Sequence, residues 1–219
     1  MTTVTLVLPN LSIWQASGTP RQRLFTNILD GTFHTVVPGR PVGLTPSVVQ
    51  ELAAYNIHLH FYSDFIQGQW SKWIEEVADL VPNHLHLHKQ VGQEGWVSEF
   101  SRYDAGWLHF MKSENEGDLR RATWDDLNYP ARLATFVTAG LPVLQYDNAG
   151  ATVATQTIAR DLDIGIFFTT MIQLREQLED QAYVNQLRNN VWIKRKLFTF
   201  DYHADQLVEF FRQVIQKKR

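Results

Sequence analysis

Cysteine is absent from this 219-residue chain, which excludes disulfides, thiolate nucleophiles and any zinc or iron–sulfur centre held by sulfur. Charge of one sign is also lacking. Twenty basic residues face 23 acidic ones, a net charge of −3, so nothing draws the chain to nucleic acid in bulk. The two basic clusters, Lys194-Arg195-Lys196 and Lys217-Lys218-Arg219, read as a helix face and a helix C-terminus. No apolar run approaches the length of a membrane span, and the opening Met1-Thr2-Thr3-Val4-Thr5-Leu6-Val7-Leu8-Pro9 has neither the basic start nor the long apolar core of a signal peptide. The expected compartment is the cytoplasm. Neither GxGxxG nor GxxxxGK[ST] occurs, which disfavours a glycine-fingerprint dinucleotide fold and a P-loop NTPase.

What is present is an ordinary globular balance, 44% hydrophobic and 20% charged, with a generous 12% of aromatic residues. Short β-branched or apolar runs recur at Val4–Leu8, Thr35–Val37, Ile57–Tyr62, Leu85–Lys89, Gly106–Phe110, Pro142–Tyr146 and Gly165–Phe168. Helical stretches lie between them. Thr45-Pro46 is a cap followed by proline, opening a helix to about Tyr55. Trp70, Trp73, Ile74, Val77 and Leu80 form a three- and four-residue stripe over Gln69 to Leu80. Pro130 opens a helix that stops at Gly140, and further helices are expected at about Ala151–Leu162, Ile172–Glu179, Ala182–Leu197 and Ala204–Lys217. Strand and helix in alternation predict an α/β fold, a Rossmann-like, mostly parallel sheet with helices on both faces. No linker, repeat or low-complexity segment divides the chain. Residues 1–30 read as an N-terminal extension, a strand plus a short helix, and residues 31–219 as one domain.

In an open parallel sheet the ligand lies beyond the carboxyl ends of the strands. The loops there are Pro38-Gly39-Arg40, Ser63-Asp64, Gln90-Val91-Gly92-Gln93, Lys112 to Asn128 and Asp147-Asn148-Ala149-Gly150. The run Pro130-Ala131-Arg132-Leu133-Ala134-Thr135-Phe136-Val137-Thr138-Ala139-Gly140-Leu141-Pro142-Val143-Leu144 resembles the P-x-K-L-x-E-Y-x-A-x-G-x-P-V-I segment of GT-B glycosyltransferases. Val37-Pro38-Gly39-Arg40 is similar to the strand and Gly-Arg opening of their C-terminal, donor-binding domain. Tyr103-Asp104-Ala105-Gly106-Trp107-Leu108, Asn148-Ala149-Gly150 and Asp163-Ile164-Gly165 follow in the family's order. The resemblance spans about Gly31 to Phe211.

That resemblance implies a nucleoside-diphosphate sugar as donor substrate, with no required cofactor or metal and a second domain or partner chain for the acceptor. It implies half of a GT-B fold and a hexosyltransferase-type role in bacterial-type glycan biosynthesis. By it, Gly39 and Arg40 meet the diphosphate, where a guanidinium can bind in bidentate fashion and stabilise charge growing on the leaving group. Arg132 stands where the motif carries lysine, and Glu114 and Glu116 fall in the loop whose acid contacts the sugar. Asn128-Tyr129 lead into the helix facing the ligand, with Asn128 also a natural N-cap. Val91 falls where the backbone reads the base edge. Thr135 replaces the family's ribose-binding glutamate, and no lysine follows Arg40 in Pro41-Val42-Gly43-Leu44-Thr45. These two departures leave a binding module without turnover as the alternative to a transferase.

The histidines raise a third reading. His58 and His60 alternate in one strand, His84, His86 and His88 in the next, and His109 follows in another. Alternation puts the first two groups each on one face. Such an array either binds zinc, which would make the chain a metal-dependent hydrolase, or covers the sheet as ordinary side chains. No carboxylate is evidently placed to orient the rings as metal ligands usually require.

Overall fold

The computed structural model describes residues 31–63, 68 and 70–217. The predicted N-terminal strand and short helix, Asp64 and the last two residues lie outside them. Six strands form one parallel sheet: β1 (Phe33–Pro38), β2 (Ile57–Ser63), β3 (Leu85–Lys89), β4 (Ala105–Trp107), β5 (Val143–Tyr146) and β6 (Gly165–Phe168). Their order in space is β3-β2-β1-β4-β5-β6. The chain therefore moves outward from β1 in one direction, returns, and moves outward in the other from β4. This Rossmann-like order opens a crevice between the C-terminal ends of β1 and β4.

The connecting helices are α1 (Pro46–Ala54), α2 (Ser71–Leu80), α3 (Trp96–Phe100), α4 (Trp124–Leu127), α5 (Arg132–Thr138), α6 (Ala154–Asp161), α7 (Met171–Glu179), α8 (Gln181–Lys194) and α9 (Phe200–Lys217). Local chemistry starts several of them. Thr45 Oγ1 accepts from Val48 N at 3.4 Å ahead of Pro46, Asp180 Oδ1 accepts from Tyr183 N at 2.9 Å, and Thr123 with Asp126 closes a reciprocal capping box. α5 begins at Arg132 with Ala131 at its N-cap, whereas Asn128 ends α4. Asn128 is therefore not the cap of the helix that follows Pro130. β4 is shorter than its apolar run predicts: after Trp107 the chain leaves the sheet, and Phe110 N turns to Val42 O at 3.2 Å.

Two cores lie on opposite faces of the sheet. One gathers Val37, Leu52, Leu59, Phe61, Val77, Trp107, Phe168 and Leu174 under α1, α2 and α7. The other gathers Val36, Phe100, Tyr103, Leu133, Phe136, Val143 and Val191 under α3, α5 and α8. Trp107, fully buried, spans the sheet centre and donates from Nε1 to Thr35 Oγ1 at 2.9 Å, so its one polar atom is satisfied.

The second face of β1, β2 and β3 carries histidine in place of aliphatic residues. His34 pairs with His58 and His60 with His86 in register. Rings stack between strands, with centroids 4.8 Å apart for His34–His58, 4.5 Å for His58–His84 and 4.4 Å for His60–His86. Nδ1 of one ring meets Nε2 of the next at 2.9 Å in His34–His60, His58–His86 and His60–His88. The nitrogens are turned to one another instead of converging on a point. Among the described residues no group of three or more His, Asp or Glu is placed to hold a metal ion.

Candidate functional site

A cleft of about 330 Å³ opens at the carboxyl edge of the sheet, beside the point where strand order reverses. Pro38, Gly39 and Arg40 come to it from the end of β1, Tyr62 and Ser63 from β2, and Gln90 and Val91 from the loop after β3. Ala131, Arg132 and Thr135 come from the start of α5. Trp70, Trp96, Tyr62 and Phe100 supply aromatic wall.

Arg132 is the structural centre of this edge. Its side chain is 9% exposed and reaches 94 and 92 positions back along the chain. Nη1 donates to Pro38 O at 3.3 Å and Arg40 O at 2.6 Å, and Nη2 to Leu108 O at 2.7 Å. The guanidinium thus ties the loop after β1 to the segment after β4 across the crevice. Its Nε is buried with no hydrogen-bond partner, and no described carboxylate offsets its charge. Burial first and the neighbouring Arg40 second push its pKa down to about 10, so it remains charged at neutral pH. A buried positive charge facing a second arginine, with a free N–H, is what an anion in the cleft would discharge.

The clip makes a testable demand. Arg132→Met strips three carbonyls of their donor, and removal of such charge-assisted bonds costs about 2–4 kcal/mol in total once relief of the buried charge is deducted. Thermal denaturation should show a melting temperature lower by roughly 4–16 °C. Arg132→Lys should recover only part of the loss, because an ammonium cannot reach three carbonyls in fork geometry. A Met variant as stable as the parent would remove the clip from the account.

The aromatic wall is itself anchored. Trp96 Nε1 donates to Val91 O at 2.9 Å, so that carbonyl is already engaged by protein. Tyr62 O–H lies 2.5 Å from both Glu99 Oε1 and Tyr103 O–H, and Glu99 Oε2 is also 3.0 Å from Arg102 Nη1. Burial first, then the hydrogen bond to Glu99, raise the Tyr62 pKa beyond the ordinary phenol range, so Tyr62 enters the wall as a neutral donor. His109, just past β4, is 3% exposed with Nδ1 unpartnered. Burial first, then Arg132, lower its pKa to about 4.

Of the residues expected from sequence, Gly39, Arg40, Val91, Arg132 and Thr135 meet at this cleft. Arg40 is exposed at its mouth, while Arg132 is a buried clip where a helix-surface arginine was the simplest alternative. Thr135 is 6% exposed and lines the wall one turn from Arg132. Asn128 and Tyr129 do not line it. Tyr129 packs against the second core, and burial first, then Asp161, raise its pKa to about 12. Glu114 and Glu116 are also elsewhere, exposed in the loop after β4 and paired with Lys112 at 3.4 Å and Arg121 at 2.6 Å. That loop is held instead by Asn115, buried and hydrogen-bonded to Gly117 and Thr152, and by Asn148 Oδ1 on Ser113 N. Gln90, in the ligand loop named from sequence after β3, also lines the cleft, whereas Tyr62, Trp70, Trp96 and Phe100 were not singled out as site residues.

No protein-family model matches the chain, and no curated protein matches it in sequence. Solved structures do match in fold. A glycosyltransferase involved in avilamycin A biosynthesis, AviGT4, is similar over 84% of this chain and 52% of its own, with TM-score 0.54 and 13% identity. Anabaena HepE, solved with UDP and glucose, is similar over 83% of this chain and 48% of its own, with TM-score 0.54 and 12% identity. The Thermobaculum terrenum O-GlcNAc transferase is similar over 93% and 40%, with TM-score 0.50 and 13% identity. The chain spans about half or less of the length of these proteins. Strand order, crevice and matches agree: the chain has the Rossmann-like α/β fold found in GT-B glycosyltransferases, over about half the length of those it is similar to.

Proposed function

We propose that the cleft binds the diphosphate of a nucleoside-diphosphate sugar, and that the chain is the donor-binding half of a glycosyltransferase whose acceptor site lies on another domain or chain. The observation that carries this reading is Arg132, buried with an unpartnered Nε beside Arg40 at the strand-order reversal. Two guanidinium groups with no described acid lining the cleft suit a group carrying two negative charges. Tyr62, Trp70 and Trp96 offer planar surface for a base, and the similar structure of HepE, solved with UDP and glucose, supports this reading. Bond cleavage at the anomeric carbon places charge on the diphosphate, so arginines aimed there act on the transition state as well as on binding. No step of this chemistry calls for a metal.

Isothermal titration with UDP-, GDP- and ADP-sugars tests the reading. One of them should bind, and Arg40→Ala should weaken it about tenfold or more while leaving the melting temperature in place, since Arg40 is exposed and supports no core contact. No binding by any of the three, or an affinity that Arg40→Ala leaves unchanged, overturns it.

Thr135 and the two glutamates favour a second reading, a binding module without turnover. A threonine hydroxyl stands in the wall where a carboxylate could grip two ribose hydroxyls, and Glu114 and Glu116 are engaged with Lys112 and Arg121 away from the cleft. Nucleotide-sugar binding without sugar transfer or donor hydrolysis, measured with the full protein it belongs to, selects this reading.

A further inference from the structure

The last helix buries none of its residues. Its first half rests on the domain: Ala204 and Leu207 are half-buried, and His203 Nε2 meets Leu197 O at 2.8 Å. Its second half does not, and every residue from Val208 to Lys217 is exposed. At about 100° per residue, Val208, Phe210, Phe211, Val214 and Ile215 share an arc of about 160°. Their exposures run from 39% to 59%. Lys217 lies just outside one edge of that arc and Arg212 just outside the other, while Glu209 stands on the far side. Arg212 keeps an exposed contact with Glu209 at 3.7 Å. Positive charge is gathered here as well. Residues 194–219 hold seven basic and three acidic side chains, a net +4 in a chain whose total is −3, which leaves −7 for residues 1–193.

We propose that the second half of α9 lies flat on the surface of an anionic lipid bilayer, its apolar arc among the upper acyl chains and its rim cations on lipid phosphates. A helix partitions in this way when apolar side chains face the acyl boundary and Lys or Arg flank them. The long basic side chains cover apolar surface with their stems while their charges reach the headgroups. Arg212 and Lys217 hold those flanking positions, and Lys218 and Arg219 follow in sequence. Val208–Lys217 is about 15 Å long, roughly half the hydrocarbon thickness of a bilayer, so it rests on the surface and does not cross it. A protein groove would have to supply acids along both rims, whereas an anionic leaflet presents them on every side. Nucleic acid would leave the phenylalanines uncovered. The proposal is independent of the cleft.

Cosedimentation of the full chain with lipid vesicles tests it. Phosphatidylcholine vesicles containing phosphatidylglycerol should bind the chain about tenfold or more tightly than phosphatidylcholine alone, and added salt should weaken that binding. Phe211→Ser with Ile215→Ser should lower binding about tenfold or more, as should Arg212→Glu with Lys217→Glu. Melting curves without lipid should stay unchanged, because none of the four side chains belongs to a described core. Orientation is readable because the chain has no cysteine of its own, so one can be placed to carry an environment-sensitive dye. On anionic vesicles the dye should shift to the blue at Ile215→Cys and stay unchanged at Gln216→Cys, its neighbour on the far side of the helix. The proposal is overturned by no association with the anionic vesicles, by equal binding to both kinds, by binding that survives either pair of substitutions, or by equal shifts at the two positions. A second copy covering this face in lipid-free solution, seen as a dimer in sedimentation with the dye at Ile215→Cys already blue-shifted, overturns it equally.

Discussion

Gly43→Ala is expected to lower the melting temperature by roughly 8–16 °C, the equivalent of about 4 kcal/mol or more in a domain of this size. Gly43 has φ of +79°, and a Cβ built on it would lie 1.7 Å from the carbonyl oxygen of Phe110. That oxygen belongs to backbone, and the strand exit that carries it is pinned by Phe110 N on Val42 O. No rotamer change can relieve the overlap. Either the loop after β1 or the segment after β4 must move by more than an ångström, and these segments form the two lips of the crevice. The matched control is Gly39→Ala. Its φ is nearly the same, +80°, yet nothing lies within 4 Å of the added carbon, so only the left-handed strain of roughly 1–2 kcal/mol applies. Equal melting temperatures for the two variants would show that the close approach at Gly43 is not present in solution.

Acidification should unfold the protein through its buried histidines. His60 is 3% exposed, and burial first, then His86, His34, His88 and His58, lower its pKa from 6.5 to about 2. His109, also 3% exposed, is lowered to about 4 by burial and then Arg132. In each case the folded value lies below the unfolded one. The unfolded chain therefore takes up the proton first, and stability is complete above pH 6.5 and declines as the pH falls. Each such residue contributes about 1.4 kcal/mol per pH unit, so the two together remove roughly 5 kcal/mol between pH 6.5 and 4.5. That is a large share of the roughly 5–15 kcal/mol that holds a domain folded. His86 and His88, half-buried beside His60, are shifted in the same direction. Urea midpoints measured across this range should fall steeply, and His60→Leu should flatten the slope by about one proton. A stability that is level from pH 6.5 to 4.5 would mean the histidine face is open to water and charges freely.

Much of the fold was legible because strands and helices announce themselves locally. Leu85–Lys89 and Gly165–Phe168 were read to the residue, and Thr45-Pro46 marked the start of α1. Errors came where tertiary contacts override local pattern. The apolar run after Gly106 continues to Phe110, yet pairing ends at Trp107 because the next residues turn to meet the loop from β1. Asn128 has the chemistry of a cap, but Tyr129 and Pro130 separate it from α5 and it closes α4 instead. For the cleft, loop residues just past a strand's end and the motif residues Arg132 and Thr135 were found, whereas the aromatic wall was not. Arg40 and Val91 follow their strands directly. Trp70 opens a helix after β2, and its presence in the same wall depends on how α2 returns to the sheet.

Amino-acid order alone determined the alternating elements, the parallel sheet and the edge where its loops gather, since each follows from periodicity and chain direction. It also determined that the strand histidines share faces, because side chains in a strand alternate strictly. Only the tertiary structure decided that Arg132 is a buried clip, that Glu114 and Glu116 turn away from the cleft, and that the histidines bond to each other in preference to a shared point. Those outcomes depend on distances between residues tens of positions apart in the chain. Burial, and with it charge state and free hydrogen-bonding capacity, arises from what packs around a side chain, which no local pattern records.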